Sequence, residues 1–100
     1  MTKKQLVENV ALDMNISYED AYKYVDTIFE IIKQSLTRGE KVQLIGFGTF
    51  EVRIHHGRTF FNPSTGQKHV VEDSKLPYFK VGDVLKRVVK SSWLMKSVLS

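Results

Sequence analysis

The chain has 100 residues, 42% of them apolar and 26% charged, which is the composition of one globular domain rather than of a disordered chain or a multidomain enzyme. It contains no cysteine, so disulfides, thiolate zinc sites, iron–sulfur clusters and thiol nucleophiles are excluded; no run of roughly 18 apolar residues occurs, and a soluble, intracellular protein is expected. The formal net charge of +4 is unevenly placed, with six Lys/Arg against seven Asp/Glu in residues 1–50 and nine against four in residues 51–100.

In chain order, Thr2 and Gln5 form a capping-box pair, and Leu6, Val7, Val10, Ala11 and Met14 recur at helical spacing, which predicts a first helix ending near Asn15. Ser17 and Asp20 open a second helix whose apolar positions are Ala21, Val25, Ile28, Phe29, Ile31, Ile32 and Leu36, with Gly39 placed to end it. That stripe covers more than one helix face, so a second partner surface is implied, with dimerisation its first explanation.

After Gly39 the apolar period switches to two. Val42 and Leu44, a turn at Gly46-Phe47-Gly48, and then Phe50, Val52 and Ile54 alternating with Glu51, Arg53 and His55 predict a hairpin with one buried face. Residues 56–69 have turn chemistry at Asn62-Pro63-Ser64-Thr65-Gly66 but too few regularly spaced apolar residues for a core, and are expected to project into solvent. Val70 and Val71 return the chain, Leu76-Pro77-Tyr78-Phe79 reads as a short edge strand, and Gly82-Asp83 opens a third helix through Leu85, Val88 and Val89. Val84, Val88, Trp93, Met95 and Val98 let that helix continue past Lys90 with one apolar stripe; a frayed tail and an amphipathic membrane anchor are the alternatives, the second opposed by the few basic residues flanking the stripe.

No acid lies between Glu51 and Glu72, while Arg53, Arg58, Lys68, His55, His56 and His69 fall there. Such a stretch favours a polyanion, nucleic acid before an anionic membrane surface, against the alternative of a merely solvated basic face. A two-stranded ribbon fits a nucleic-acid groove, its basic side chains can meet phosphates, and a rigid apolar tip such as Pro63 can wedge between base pairs or simply make the turn.

The run Lys41-Val42-Gln43-Leu44-Ile45-Gly46-Phe47-Gly48-Thr49-Phe50-Glu51-Val52-Arg53, then Asn62-Pro63-Ser64-Thr65-Gly66, then Ser74-Lys75-Leu76-Pro77-Tyr78-Phe79-Lys80 and Gly82 with Leu85-Lys86, resembles the HU/integration host factor family of bacterial histone-like proteins. The resemblance spans about residues 1–90 without a gap. It implies an α+β fold in an intertwined dimer: a helical base over about 1–39, an antiparallel sheet saddle with a long β-ribbon arm over about 41–81, and a C-terminal helix over about 82–98, all within one domain of residues 1–100. A homodimer is the first expectation, with a heterodimer of paralogues left open. The implied function is architectural: two arms bind and bend double-stranded DNA through the minor groove, in nucleoid compaction or nucleoprotein assembly in the cytoplasm.

Carried over by position, Pro63 matches the proline inserted between base pairs, and Arg53 and Arg58 match arm arginines that follow the backbone and groove. Asn62 belongs to the same tip motif; Lys3, Lys75, Lys80 and Lys86 match body positions that contact phosphates; Phe29, Leu44, Phe47, Phe50 and Phe79 match the apolar centre shared by two subunits. The chain departs from the family where it has His55, Thr59 and Phe61 in place of basic residues, Phe60 in place of glycine, and Glu72 and Val81 in place of frequent prolines. The arm is thereby less charged and more aromatic, with His55 and Phe61 as candidate DNA contacts. Strand alternation lets only one of Phe60 and Phe61 face the groove.

Two other function classes compete. An RNA-binding module would use the same basic ribbon, but lacks an evident aromatic platform for single strands. A metal or hydrolytic enzyme would have to use His55, His56 and His69, yet no carboxylate pair or ordered nucleophile accompanies them. The expectation is therefore a protein that is not an enzyme, with no cofactor, no metal, no small-molecule substrate and no membrane partner.

Overall fold

The computed structural model describes residues 1–99 and, within the last helix, side chains as far as Met95. Helix α1 (Lys3–Met14) begins where the sequence places it: Thr2 Oγ1 accepts from the Gln5 N–H at 3.2 Å, and the Gln5 side chain returns to the Thr2 N–H at 2.9 Å. Asn15, at φ 54°, ends it in the left-handed conformation. Ser17 caps α2 (Tyr18–Thr37) through the Asp20 N–H at 3.1 Å, and Gly39 follows its end at φ 79°. The two helices pack through Val7, Ala21 and Val25, flanked by Leu6, Val10, Ala11 and Ile16.

A three-stranded antiparallel sheet follows, in the order β1 (Val42–Leu44), β2 (Gly48–His55), β5 (Ser74–Val81). Between β2 and β5 the chain leaves the sheet and forms a separate two-stranded arm from β3 (Thr59–Phe61) and β4 (Lys68–Val70). Helix α3 (Asp83–Leu99) closes the described chain.

The sheet corrects two readings. Gly48 belongs to β2 and not to the turn, which is Ile45-Gly46-Phe47, closed by the Phe47 N–H on the Leu44 carbonyl at 3.0 Å. The returning strand is eight residues long and pairs with β2 throughout, from Gly48↔Val81 to His55↔Ser74; Ser74, Lys75 and Lys80 join it although nothing in their polarity marks a strand. Pro77 is tolerated because β5 lies at the sheet edge. A third correction concerns α3. It does run past Lys90, but Trp93 lines a groove with Val81, Leu85, Val89 and Leu94, while Val84, Val88 and Met95 lie on another side, so there are two apolar strips where one stripe was expected. The side chain of Val98 lies outside the described ones.

Pleating sorts the sheet into two faces. Phe50, Val52 and Ile54 share one with Lys75, Pro77 and Phe79, on the side where Phe29, Ile32 and Leu36 of α2 approach. Thr49, Glu51, Arg53 and His55 share the other with Ser74, Leu76, Tyr78 and Lys80. Phe79 is the centre of an aromatic cluster, its ring centroid 4.8 Å from Phe50 and 5.4 Å from Phe47. A Cβ on Gly48 would lie 2.6 Å from the Phe79 ring and from the Lys80 carbonyl oxygen, so this position admits only glycine if Phe79 is to stay.

Among the described residues the buried apolar side chains are Val7, Ala21 and Val25, and Gly48 is buried beneath Phe79. Phe29, Leu44, Phe47 and Phe79 remain 38–46% exposed, and Ile28 and Ile31 57%. The radius of gyration is 20.3 Å, against about 13 Å for a compact chain of this length.

Candidate nucleic-acid interface

The arm is held by few backbone bonds, and its tip by its own chemistry. The Asn62 N–H donates to the Gln67 carbonyl at 2.9 Å and the Gly66 N–H to the Asn62 carbonyl at 2.8 Å, while Asn62 Oδ1 accepts from the Ser64 N–H at 3.0 Å. Asn62 thus organises the turn that carries the exposed Pro63, and Gly66, at φ 69°, completes it.

Behind the tip the arm has two chemically different faces. Phe60 pairs with His69 in register and stacks on it, centroids 5.1 Å apart and planes 22° apart, with the Arg58 guanidinium 5.6 Å from the Phe60 ring centroid. Phe61 pairs with Lys68 on the opposite face and is 67% exposed, the more open of the two phenylalanines. The alternation read from sequence therefore holds, and the Phe60–His69 stack is an addition that pattern alone did not reveal.

At the arm's base, Arg53 is engaged by the sheet. Its Nε donates to Glu51 Oε1 at 2.7 Å and its Nη2 lies 2.6 Å from the same oxygen, while its guanidinium sits 4.8 Å from the Tyr78 ring centroid. Lys41 stands 3.9 Å from the other Glu51 oxygen. The hydrogen bond from Arg53 is the largest influence holding the Glu51 carboxyl below the usual carboxylate range, ahead of the opposing effect of its partial burial. Tyr78 and Glu51 set the Arg53 guanidinium in place: Glu51 from two residues earlier on the same strand face, and Tyr78 across the strand pair, a contact that sequence reasoning missed because it depends on register.

The remaining candidates are spread over the body. Lys80, paired with Thr49, lies on the same sheet face as Arg53 and His55; Lys75, paired with Ile54, lies on the opposite face. Lys86 lies in the first turn of α3, its N–H bonded to the Gly82 carbonyl at 3.0 Å. Lys3 reaches from α1 to Asp26 of α2 at 2.8 Å and lies 5.0 Å from the Tyr22 ring centroid. The hydrogen bond to Asp26 is the main cause of its raised pKa. Phe47, Phe50 and Phe79 meet in one cluster next to the turn, Leu44 ends β1 beside it, and Phe29 faces the sheet from α2.

The histidines do not assemble into a metal centre, and no cluster of three or more His, Asp or Glu suited to a metal occurs among the described residues. Nor is any helix among them long and apolar enough to cross a membrane.

A family model described as bacterial DNA-binding protein matches residues 1–90. The chain is 47% identical over 90 residues to DNA-binding protein HU of Geobacillus stearothermophilus and of Staphylococcus aureus (strain COL), an alignment covering 90% of this chain and 100% of each relative. Among solved structures, an Anabaena HU–DNA cocrystal structure superposes with a TM-score of 0.78 at 31% identity, covering 89% of this chain and 97% of that one. HU from Thermotoga maritima gives 0.62 at 34% identity, over 89% and 98%. With an α+β fold of helical base, antiparallel sheet, arm and closing helix shared with these proteins, the chain belongs to the HU family of bacterial DNA-binding proteins.

Proposed function

We propose that two copies of this chain, each a single domain of residues 1–100, form an intertwined dimer whose arms bind duplex DNA along the minor groove and bend it. The role is architectural, in nucleoid compaction or nucleoprotein assembly in the cytoplasm. The observation that carries the reading is the projecting arm, with Pro63 exposed at its tip and Arg58, Lys68 and Phe61 behind it, on a chain with too small a core to support such an arm alone. Phe29, Leu44, Phe47, Phe50 and Phe79 form the surface that a second copy covers, consistent with their incomplete burial in one chain.

In this reading Pro63 is the wedge between base pairs, and Asn62 sets the turn that presents it. Arg53, His55 and Arg58 follow the phosphates and groove, Phe61 packs on deoxyribose, and Lys3, Lys75, Lys80 and Lys86 hold the flanking duplex. The Anabaena relative crystallised together with DNA, which supports the partner class. Affinity for intact, nicked and kinked duplexes tests the reading. Prebent DNA should be preferred, and with about six to ten phosphates neutralised per dimer, log affinity should fall with log salt at a slope of about −5 to −9. A flat salt response contradicts it. Sedimentation equilibrium at micromolar concentration should give about twice the chain mass, and a folded monomer there contradicts the dimer.

A further inference from the structure

The long sheet ends at the pair His55↔Ser74 and the arm's own ladder starts at Thr59↔Val70, so residues 56–58 and 71–73 carry the arm across a gap in the strand pairing. Three unpaired residues on each side would ordinarily make a loose joint. Neither His56-Gly57-Arg58 nor Val71-Glu72-Asp73 contains a proline to stiffen it.

Other contacts cross the gap. Asp73 Oδ1 accepts a hydrogen bond from the Gly57 N–H at 2.7 Å, and the Val71 N–H donates to the Arg58 carbonyl at 2.8 Å. His56 Nδ1 lies 3.9 Å from the second Asp73 oxygen. At Gly57 the two segments touch backbone to backbone: a Cβ there would overlap the Val71 carbonyl oxygen and fall 2.6 Å from the Val71 and Glu72 carbonyl carbons. Gly57 is half-buried between exposed neighbours for that reason. The absence of a side chain at 57 permits the approach, and the Asp73 carboxylate fastens it with a charge-assisted bond, the stronger kind of hydrogen bond.

We propose that Asp73 and Gly57 form a clamp at the arm's base, with Asp73 a positioning residue that holds the arm at the elevation needed to bend DNA. The inference rests on the DNA-bending role proposed above. Fixing two short linkers before DNA arrives removes an ordering cost from the binding step, which raises affinity without a new contact to DNA. Charge alone acts the other way, because a carboxylate in a basic region repels phosphate. Positioning and plain electrostatics therefore predict opposite signs when Asp73 is removed.

The test compares Asp73→Ala, Asp73→Asn and Gly57→Ala with wild type in the full chain, measuring duplex affinity, end-to-end energy transfer across a labelled duplex, and amide hydrogen exchange at Gly57. Asparagine keeps the acceptor oxygen and loses the charge. Asp73→Ala and Gly57→Ala should weaken duplex binding by about three- to tenfold and lower the bend, while Asp73→Asn retains wild-type bending and binds at least as tightly as wild type. Gly57 amide exchange should accelerate strongly in Asp73→Ala and much less in Asp73→Asn, whose neutral oxygen keeps a weaker bond. Equal gains in affinity for Asp73→Ala and Asp73→Asn, or Gly57 exchange unchanged by Asp73→Ala, would overturn the clamp. A wild-type protein that does not bend DNA would instead refute the functional reading on which it rests.

Discussion

Replacing Phe79 with Ala probes the proposed subunit interface, because the ring is held by its own chain and still unfinished. It contacts Phe50 and Phe47 at 4.8 and 5.4 Å between centroids, yet 42% of the residue remains exposed. Full burial of a phenylalanine side chain is worth about 1.5–3 kcal/mol, of which over half is realised within one chain, and two tilted ring pairs add about 1–3 kcal/mol. A lone chain should therefore lose about 2–4.5 kcal/mol. If a second copy covers the remaining surface, the loss rises to the range for buried phenylalanine truncation, about 3–5 kcal/mol per chain and twice that per dimer. Urea unfolding at several protein concentrations measures the difference. The wild-type midpoint should rise with concentration, as it must when folding and association are linked, and Phe79→Ala should shift it strongly downward. A concentration-independent wild-type midpoint would refute the shared core, whatever the loss in Phe79→Ala.

Gly48→Ala should destabilise by about 1–3 kcal/mol per chain in the same assay, because the added Cβ meets Phe79 and the Lys80 backbone at 2.6 Å; no change would mean that the ring can move aside freely. Glu51, whose folded-state pKa is lowered, contributes stability that is present above the unfolded carboxyl value and is lost as pH falls through the lower folded one. Wild-type stability should therefore fall more steeply than that of Glu51→Gln over that acidic window, and parallel acid-unfolding profiles would contradict the ion pair. The same Glu51→Gln substitution releases Arg53 from its ion pair and should raise duplex affinity severalfold at low salt, which a salt titration checks.

Much of the fold was legible because its signals are local. Thr2 with Gln5, Ser17, and the change from helical to alternating spacing after Gly39 each report on neighbours a few residues away, and each element begins where they indicate. The arm was legible from what it lacks, since a turn-rich stretch without apolar periodicity cannot be core. The length of β5 was not, because an edge strand's ladder uses backbone groups and is indifferent to whether Ser74, Lys75 or Lys80 occupies it. The features that shape the candidate site were hidden for a related reason. Tyr78 beneath Arg53, His69 on Phe60 and Asp73 on Gly57 are all contacts between segments brought together by register, and no spacing along the chain encodes them.

If the arms bend DNA by inserting their tips, energy transfer between dyes at the two ends of a short duplex measures that most directly. With wild-type protein the ends should approach, and with Pro63→Ala the transfer should fall well below the wild-type value while affinity and its salt dependence are largely retained, because the wedge and the phosphate contacts are separate contributions. Equal transfer for the two proteins, or none for either at saturating protein, would contradict insertion of the tips.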